Sequence, residues 1–164
     1  PLKIAEADKV IFPGVGEAAS AMAYLRQHNL DRLIKSLHQP VLGICIGQQL
    51  MCRHSMEGDV DCLGIFDADV LRFAPEMSRL KVPHMGWNTF HVTHPGIITS
   101  DMENEYVYYV HSYYVPVNNA TIATTEYINQ FSASMHKDNF YSTQFHPEKS
   151  GGIGERILKN FLEL

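Results

Sequence analysis

A chain of 164 residues, 45% hydrophobic and 19% charged, is long enough to bury one substantial core and has the composition of an ordinary globular domain. Its formal net charge of −5, without a dense Lys/Arg run, argues against nucleic acid or an anionic membrane surface as a partner. No apolar stretch approaches the ~18 residues of a membrane span and no signal peptide is visible. Three cysteines without CxxC spacing fit a reduced, cytoplasmic setting better than a disulfide framework.

The chain opens Pro1-Leu2-Lys3 rather than with Met, and reaches a strand almost at once. We therefore expect an N-terminal piece to precede it. Val10-Ile11-Phe12 reads as a short buried strand, closed by Pro13 and the loop Gly14-Val15-Gly16. The spacing of Ala18, Met22 and Leu25 predicts a helix over 18–25 with those residues on one face. Leu30, Leu33, Ile34 and Leu37 predict a second helix, capped by Asn29 and stopped by Pro40. Residues 41–44 form a second apolar strand, and 47–53 look helical. Strand, helix, strand, helix predicts an α/β fold with parallel strands. The middle of the chain changes character. Residues 70–73, 89–93, 106–110, 121–126, 132–136 and 140–145 all read as strands, with Lys137-Asp138-Asn139 as a hairpin turn. The last element, 153–162, is an amphipathic helix with Ile153, Ile157, Leu158, Phe161 and Leu162 inward. No repeat or linker interrupts the chain, so one domain is expected.

Two distant segments carry the chemistry: Gly43-Ile44-Cys45-Ile46-Gly47-Gln48-Gln49 and His146-Pro147-Glu148. A strand, Gly-x-Cys-x-Gly and a helix make the layout of a nucleophile elbow, where flanking glycines let backbone pass close to a strained turn. The helix N-terminus after Cys45 favours a thiolate, and the Ile46 N–H is placed to serve as an oxyanion donor. Taken alone, Cys45 reads equally well as a small buried residue. His146 at a strand end, with Glu148 two positions on along an extended segment, supplies a base and a group to orient it.

These residues resemble the class I, or triad, glutamine amidotransferases, which use a Cys-His-Glu triad to release ammonia from glutamine. Further segments resemble the branch formed by the glutaminase subunits of imidazole glycerol phosphate synthases. They are Pro13-Gly14-Val15-Gly16, Pro83-His84-Met85-Gly86-Trp87-Asn88, Val110-His111-Ser112-Tyr113 and the extension Lys149-Ser150-Gly151. The resemblance runs from Ala7 to the end, so residues 1–164 are read as one amidotransferase domain, incomplete at its N-terminus. It implies a three-layer, flavodoxin-like α/β fold with a central, mostly parallel sheet plus antiparallel strands.

The resemblance assigns expected roles. Cys45 attacks the glutamine amide, His146 carries the proton, and Glu148 fixes the imidazole. The Ile46 N–H and an N–H from Gly14, Val15 or Gly16 meet the oxyanion. Gln49 occupies a glutamine-binding position, Glu57 pairs with the α-ammonium, and backbone from His111 through Ser112 to Tyr113 holds the carboxylate end. The signature loop carrying Trp87 and Asn88, together with Lys149, faces a cyclase partner of (β/α)8-barrel type in a heterodimer. The ammonia would pass to that partner, which makes imidazole glycerol phosphate and aminoimidazole carboxamide ribonucleotide in histidine biosynthesis. Two other readings remain open from sequence: a sister amidotransferase feeding another synthase, and a non-catalytic interaction subunit. Low activity is expected in isolation. No cofactor is expected, and His91-x-x-His94 lacks a third ligand at matching spacing for a metal. Cys52 and Cys62 read as structural thiols. Tyr106, Tyr108, Tyr109, Tyr113 and Tyr114 read mostly as strand packing, with Tyr106 and Tyr108 as possible pocket walls.

Overall fold

The computed structural model describes residues 2–14 and 16–164. A short helix, α1 (Leu2–Glu6), leads into strand β1 (Val10–Pro13). Helix α2 (Ala18–Gln27) buries Ala18, Met22 and Leu25, the face its periodicity predicts. Its N-terminus is capped by Glu17, whose carboxylate accepts from the N–H groups of Ala19 and Ser20. Helix α3 (Leu30–Ser36) follows, but Asn29 does not cap it with a side-chain bond. Asn29 instead sits at φ 54°, in the left-handed region that asparagine tolerates, and turns the chain between the helices.

Strand β2 (Val41–Ile44) is buried along its whole length, as a central parallel strand must be. Helix α4 is shorter than its sequence pattern suggests, Ile46–Leu50 rather than 47–53. The chain then meanders through β3 (His54–Ser55), β4 (Val60–Asp61) and β5 (Asp69–Arg72). The segment expected as a signature loop is instead a strand, β6 (His84–Thr89). The strand expected at 89–93 survives only as β7 (His91–Val92). Strands β8 (Tyr106–His111), β9 (Tyr113–Tyr114), β10 (Thr121–Tyr127), β11 (Asn129–Lys137) and β12 (Phe140–Thr143) follow. Asp138 at φ 53° makes the predicted turn between the last two.

The main sheet runs β1-β2-β12-β11-β10-β7. It is parallel across β1, β2 and β12 and antiparallel beyond, a mixed α/β sheet. Val41 and Phe140 point to one face, where α2, α3 and α4 pack. Leu42 and Ile44 point to the other, where Ile157 and Phe161 of the closing helix α5 (Gly151–Leu162) meet an aromatic cluster from β8 and β11. Leu162, expected inward, is 57% exposed, because Ile157 and Phe161 set the buried face and Leu162 lies about 100° round the helix from Phe161. The layers leave the C-terminal ends of β1, β2 and β12 side by side, the position where open α/β sheets build their sites.

Candidate active site

Backbone packing shapes the turn after β2. Cys45 has φ 57° and ψ −112°, a conformation that costs a non-glycine residue free energy and marks a strained elbow. The glycines around it are required sterically. A Cβ on Gly47 would lie 2.1 Å from the Phe12 carbonyl oxygen, and one on Gly43 would lie 2.9 Å from backbone atoms of Gly47. Gly14 is pressed onto the elbow from β1: a Cβ there would overlap Ile46 Cγ2 at 1.5 Å and approach Gly47 N at 2.6 Å. Gly16 turns at φ 94° with open space around it. Val15, also expected to supply an oxyanion donor, lies outside the described residues.

The Cys45 thiol is half-buried. Burial pushes its pKa up to about 11, against the opposing pull of the Ile46 N–H aimed at the sulfur. The expectation that α4 yields a ready thiolate is therefore reversed in this state. Five residues make a weak helix terminus, and desolvation outweighs it. Sγ donates to the Val110 carbonyl at 3.8 Å and accepts from Gln144 Nε2 at 3.7 Å.

His146 follows β12, with its N–H donated to the Tyr108 carbonyl at 3.0 Å. Its Nδ1 lies 2.8 Å from Glu148 Oε1, so the predicted pair exists. Its geometric cause differs from the one expected. Residues Pro147–Lys149 form a turn of 3₁₀ helix, not an extended segment, and the turn folds the carboxylate back under the imidazole. Gly154 secures that turn, since a Cβ there would meet the Pro147 carbonyl oxygen at 1.8 Å. The Ser150 hydroxyl adds a bond to the His146 carbonyl at 2.6 Å.

A cavity of about 280 Å³ opens beside the thiol. It is lined by Gly16, Cys45, Ile46, Gln49, Glu57, Pro83 and the run from Val110 to Tyr113. Of the residues expected to bind substrate, Gln49, Glu57, His111, Ser112 and Tyr113 are thus brought to one cavity. Three of their side chains are already engaged. Gln49 is buried and donates to the Tyr113 carbonyl at 3.0 Å and to Gln144 Oε1 at 2.9 Å. The His111 ring bonds to the Tyr113 carbonyl at 2.8 Å. Glu57 accepts from the Ala18 N–H at the start of α2, 2.8 Å away, and burial raises its pKa. It is not a free surface acid, and its second carboxylate oxygen accepts no hydrogen bond among the described residues. Tyr106 and Tyr108 do not line this cavity.

The expected interface residues divide. Strand alternation sends Met85 and Trp87 outward, 63% and 54% exposed, and turns His84 and Asn88 inward. Trp87 packs edge-on against Tyr108 on the neighbouring strand. The Asn88 amide is used within the chain, donating to the Glu126 carbonyl at 3.0 Å. Lys149 is exposed and makes no ion pair among the described residues. His91 pairs with Glu103, and no cluster of His, Cys, Asp and Glu suited to a metal occurs among the described residues. Among those residues no helix is long and apolar enough to cross a membrane. Sequence reasoning missed two residues, Gln144 and His84. The first is two positions before His146 and reaches the sulfur; the second is a buried partner of His111.

Comparison with known proteins identifies the family. The family described as "Glutamine amidotransferase class-I" matches residues 3–164. The imidazole glycerol phosphate synthase subunit HisH of Bacteroides fragilis is 65% identical over 158 residues, covering 96% of this chain and 81% of the relative. The protein of that name from Escherichia coli K12 is 49% identical over 162 residues, covering 96% and 81%. Among solved structures, a glutamine amidotransferase from Thermotoga maritima has the same fold. It gives a TM-score of 0.65 at 17% identity, covering 99% of this chain and 65% of that one. On the extent of the family match and the identity to these relatives, the chain belongs to the class I glutamine amidotransferase family, in the branch of the imidazole glycerol phosphate synthase subunits HisH.

Proposed function

We propose that the chain is the glutaminase subunit of an imidazole glycerol phosphate synthase. It hydrolyses L-glutamine to glutamate and ammonia and hands the ammonia to a cyclase of (β/α)8-barrel type, as a heterodimer in the cytoplasm. The joint enzyme combines hydrolase, transferase and lyase chemistry in histidine biosynthesis. The observation that carries this reading is one site: Cys45 on a strained elbow, with the Ile46 N–H on its sulfur and His146 held by Glu148 at the end of the adjacent strand.

In this reading Cys45 Sγ attacks the side-chain amide carbon of glutamine. The thiol proton passes to His146 and from there to the leaving ammonia. Glu148, on Nδ1, keeps the imidazole's other nitrogen available and stabilises the imidazolium. The oxyanion is met by the Ile46 N–H and a second N–H from the stretch Gly14 to Gly16. Glu57 takes the α-ammonium on its spare oxygen, and the backbone from His111 to Tyr113 meets the carboxylate end, with Gln49 bracing that backbone. Trp87 and Lys149, both exposed, face the cyclase, and Asn88 shapes the strand behind Trp87.

A thiol held near 11 is a poor nucleophile at neutral pH. We therefore expect slow turnover by the isolated chain and a large stimulation by the cyclase. A coupled glutamate assay with and without the partner tests this. Fast, partner-independent turnover would contradict it, as would no turnover with the partner present.

A further inference from the structure

His84 and His111 are directly opposed on β6 and β8, and both are buried. His84 Nδ1 lies 2.9 Å from His111 Nε2. His111 Nδ1 lies 2.8 Å from the Tyr113 carbonyl oxygen. His84 Nε2 lies 3.3 Å from Asn88 Nδ2. The two ends of this row have fixed polarity. The Tyr113 carbonyl can only accept, so His111 Nδ1 carries a proton. At the other end Asn88 Oδ1 accepts the Thr89 N–H at 2.8 Å, which assigns the donating Nδ2 to His84. Between these ends only one proton arrangement satisfies every contact. Asn88 donates to His84 Nε2, His84 Nδ1–H donates to His111 Nε2, and His111 Nδ1–H donates to Tyr113.

The row continues to the reacting sulfur. The Tyr113 carbonyl also accepts from Gln49 Nε2, Gln49 donates to Gln144 Oε1, and Gln144 Nε2 reaches Cys45 Sγ. We propose that His84 and His111 are positioning residues, held as neutral Nδ1–H tautomers in a one-way hydrogen-bond chain from Asn88 to Tyr113, that fix the Val110–Tyr113 wall of the glutamine cavity against Cys45. The proposal deepens the glutaminase reading and rests on it for its kinetic consequence.

The surroundings forbid the charged form. His84 is stacked between Tyr127 and Tyr109, with ring centroids at 3.9 and 4.8 Å, and Phe73 and Phe131 pack on His111. Among the described residues no carboxylate hydrogen-bonds to either ring. Tyr109, Tyr127 and Tyr114, with the nearby His146, are the titratable groups around the pair, and Cys45 and Glu57 line the cavity that His111 also lines. Burial pushes His84 down to about 4 and His111 down to about 3. An extra proton on either ring would set two donors against each other in a dry site.

Long-range ¹H–¹⁵N correlation spectra of the full chain, labelled at histidine, test this without any variant. Both rings are expected as Nδ1–H tautomers that do not titrate across about pH 5 to 8, whereas a free imidazole titrates in that range. A proton on Nε2 of either ring, or titration in that range, would overturn the proposal. The Ser112 and Tyr113 amide shifts are expected to move in His84→Leu and to return toward wild type in His84→Asn, whose amide can replace Nδ1–H. In complex with the cyclase, His84→Leu should raise KM for glutamine roughly fivefold to tenfold, the cost of one hydrogen bond, with kcat changed far less. Unmoved shifts, or an unchanged KM, would overturn the positioning role. Absence of turnover in the wild-type complex would sink the glutaminase reading alone, because the tautomers and amide shifts report the chain of bonds without substrate.

Discussion

The two walls of the Cys45 cavity are built by opposite means. The Val110–Tyr113 wall is pinned from behind by buried side chains: two histidines, Gln49 and Gln144, with no buried side-chain nitrogen or oxygen left unpaired among the described residues. The side at Gly16 is different, because neither Gly16 nor Gly14 behind it has a side chain to pin. Gly14 is held by lying against Ile46, and Gly16 turns at positive φ in open space. Under the proposed mechanism the difference fits the two sides to different work. A wall fixed by hydrogen bonds suits recognition of a substrate whose shape does not change. Under the proposed mechanism, glycine backbone suits presentation of an N–H to an oxyanion, which needs close approach and freedom of the peptide plane.

Removing what both walls serve has the largest expected effect. Cys45→Ala should lower partner-stimulated glutamine turnover by about 10⁴-fold or more, read as glutamate release. Glu148→Gln leaves both walls intact but takes the charge from beneath His146. It should cost roughly 10²- to 10⁴-fold in kcat with little change in KM. If KM moved instead, Glu148 would belong to recognition and the division of labour would break.

The walls themselves are distinguished by alanine. Gly14→Ala drives a Cβ into Ile46 and the Gly47 backbone, and should lower unfolding stability by about 3 kcal/mol in urea titration. Gly16→Ala meets no atoms and loses only what its φ of 94° costs, about 1 kcal/mol. Equal losses would mean that Gly14 is not the buttress of the elbow.

Acid tests the pinned wall. The unfolded chain protonates its histidines near pH 6.5, whereas His111 and His84 stay neutral in the fold until the pH falls to about 3 and about 4. The unfolded state then holds more protons, so stability is lost as pH drops below about 6.5. For His111 alone the slope is at most about 1.4 kcal/mol per pH unit. His54 on the surface, raised by Asp61, works in the opposite sense. Urea midpoints at about pH 7 and about pH 5 should differ in wild type and draw closer in His84→Leu.

Much of this architecture was legible in the residues, and its gaps have physical causes. Helix α2 was readable because Ala18, Met22 and Leu25 keep a 3.6-residue period against a flat sheet face. The elbow was readable because few local arrangements other than a strained turn need glycine on both sides of a cysteine after an apolar strand. Strand β6 was hidden. Pro83-His84-Met85-Gly86-Trp87-Asn88 puts polar residues on its buried face and apolar ones on its exposed face, the inverse of the usual alternation. That inversion is what conceals both the His84 network and the outward Trp87. His146 and Glu148 were paired correctly by residue type, but the 3₁₀ turn that joins them depends on Gly154, a contact no local pattern announces. The thiol's raised pKa likewise reflects burial by distant segments, which outweighs a short helix.

The most direct test of the site is covalent. A glutamine-analogue electrophile, incubated with the chain and its cyclase and followed by intact mass and peptide mapping, should add one label, at Cys45. Labelling should fall sharply in His146→Ala. Label on Cys62 or elsewhere, or undiminished labelling of Cys45 without His146, would contradict the assignment of Cys45 and His146 as the reacting pair.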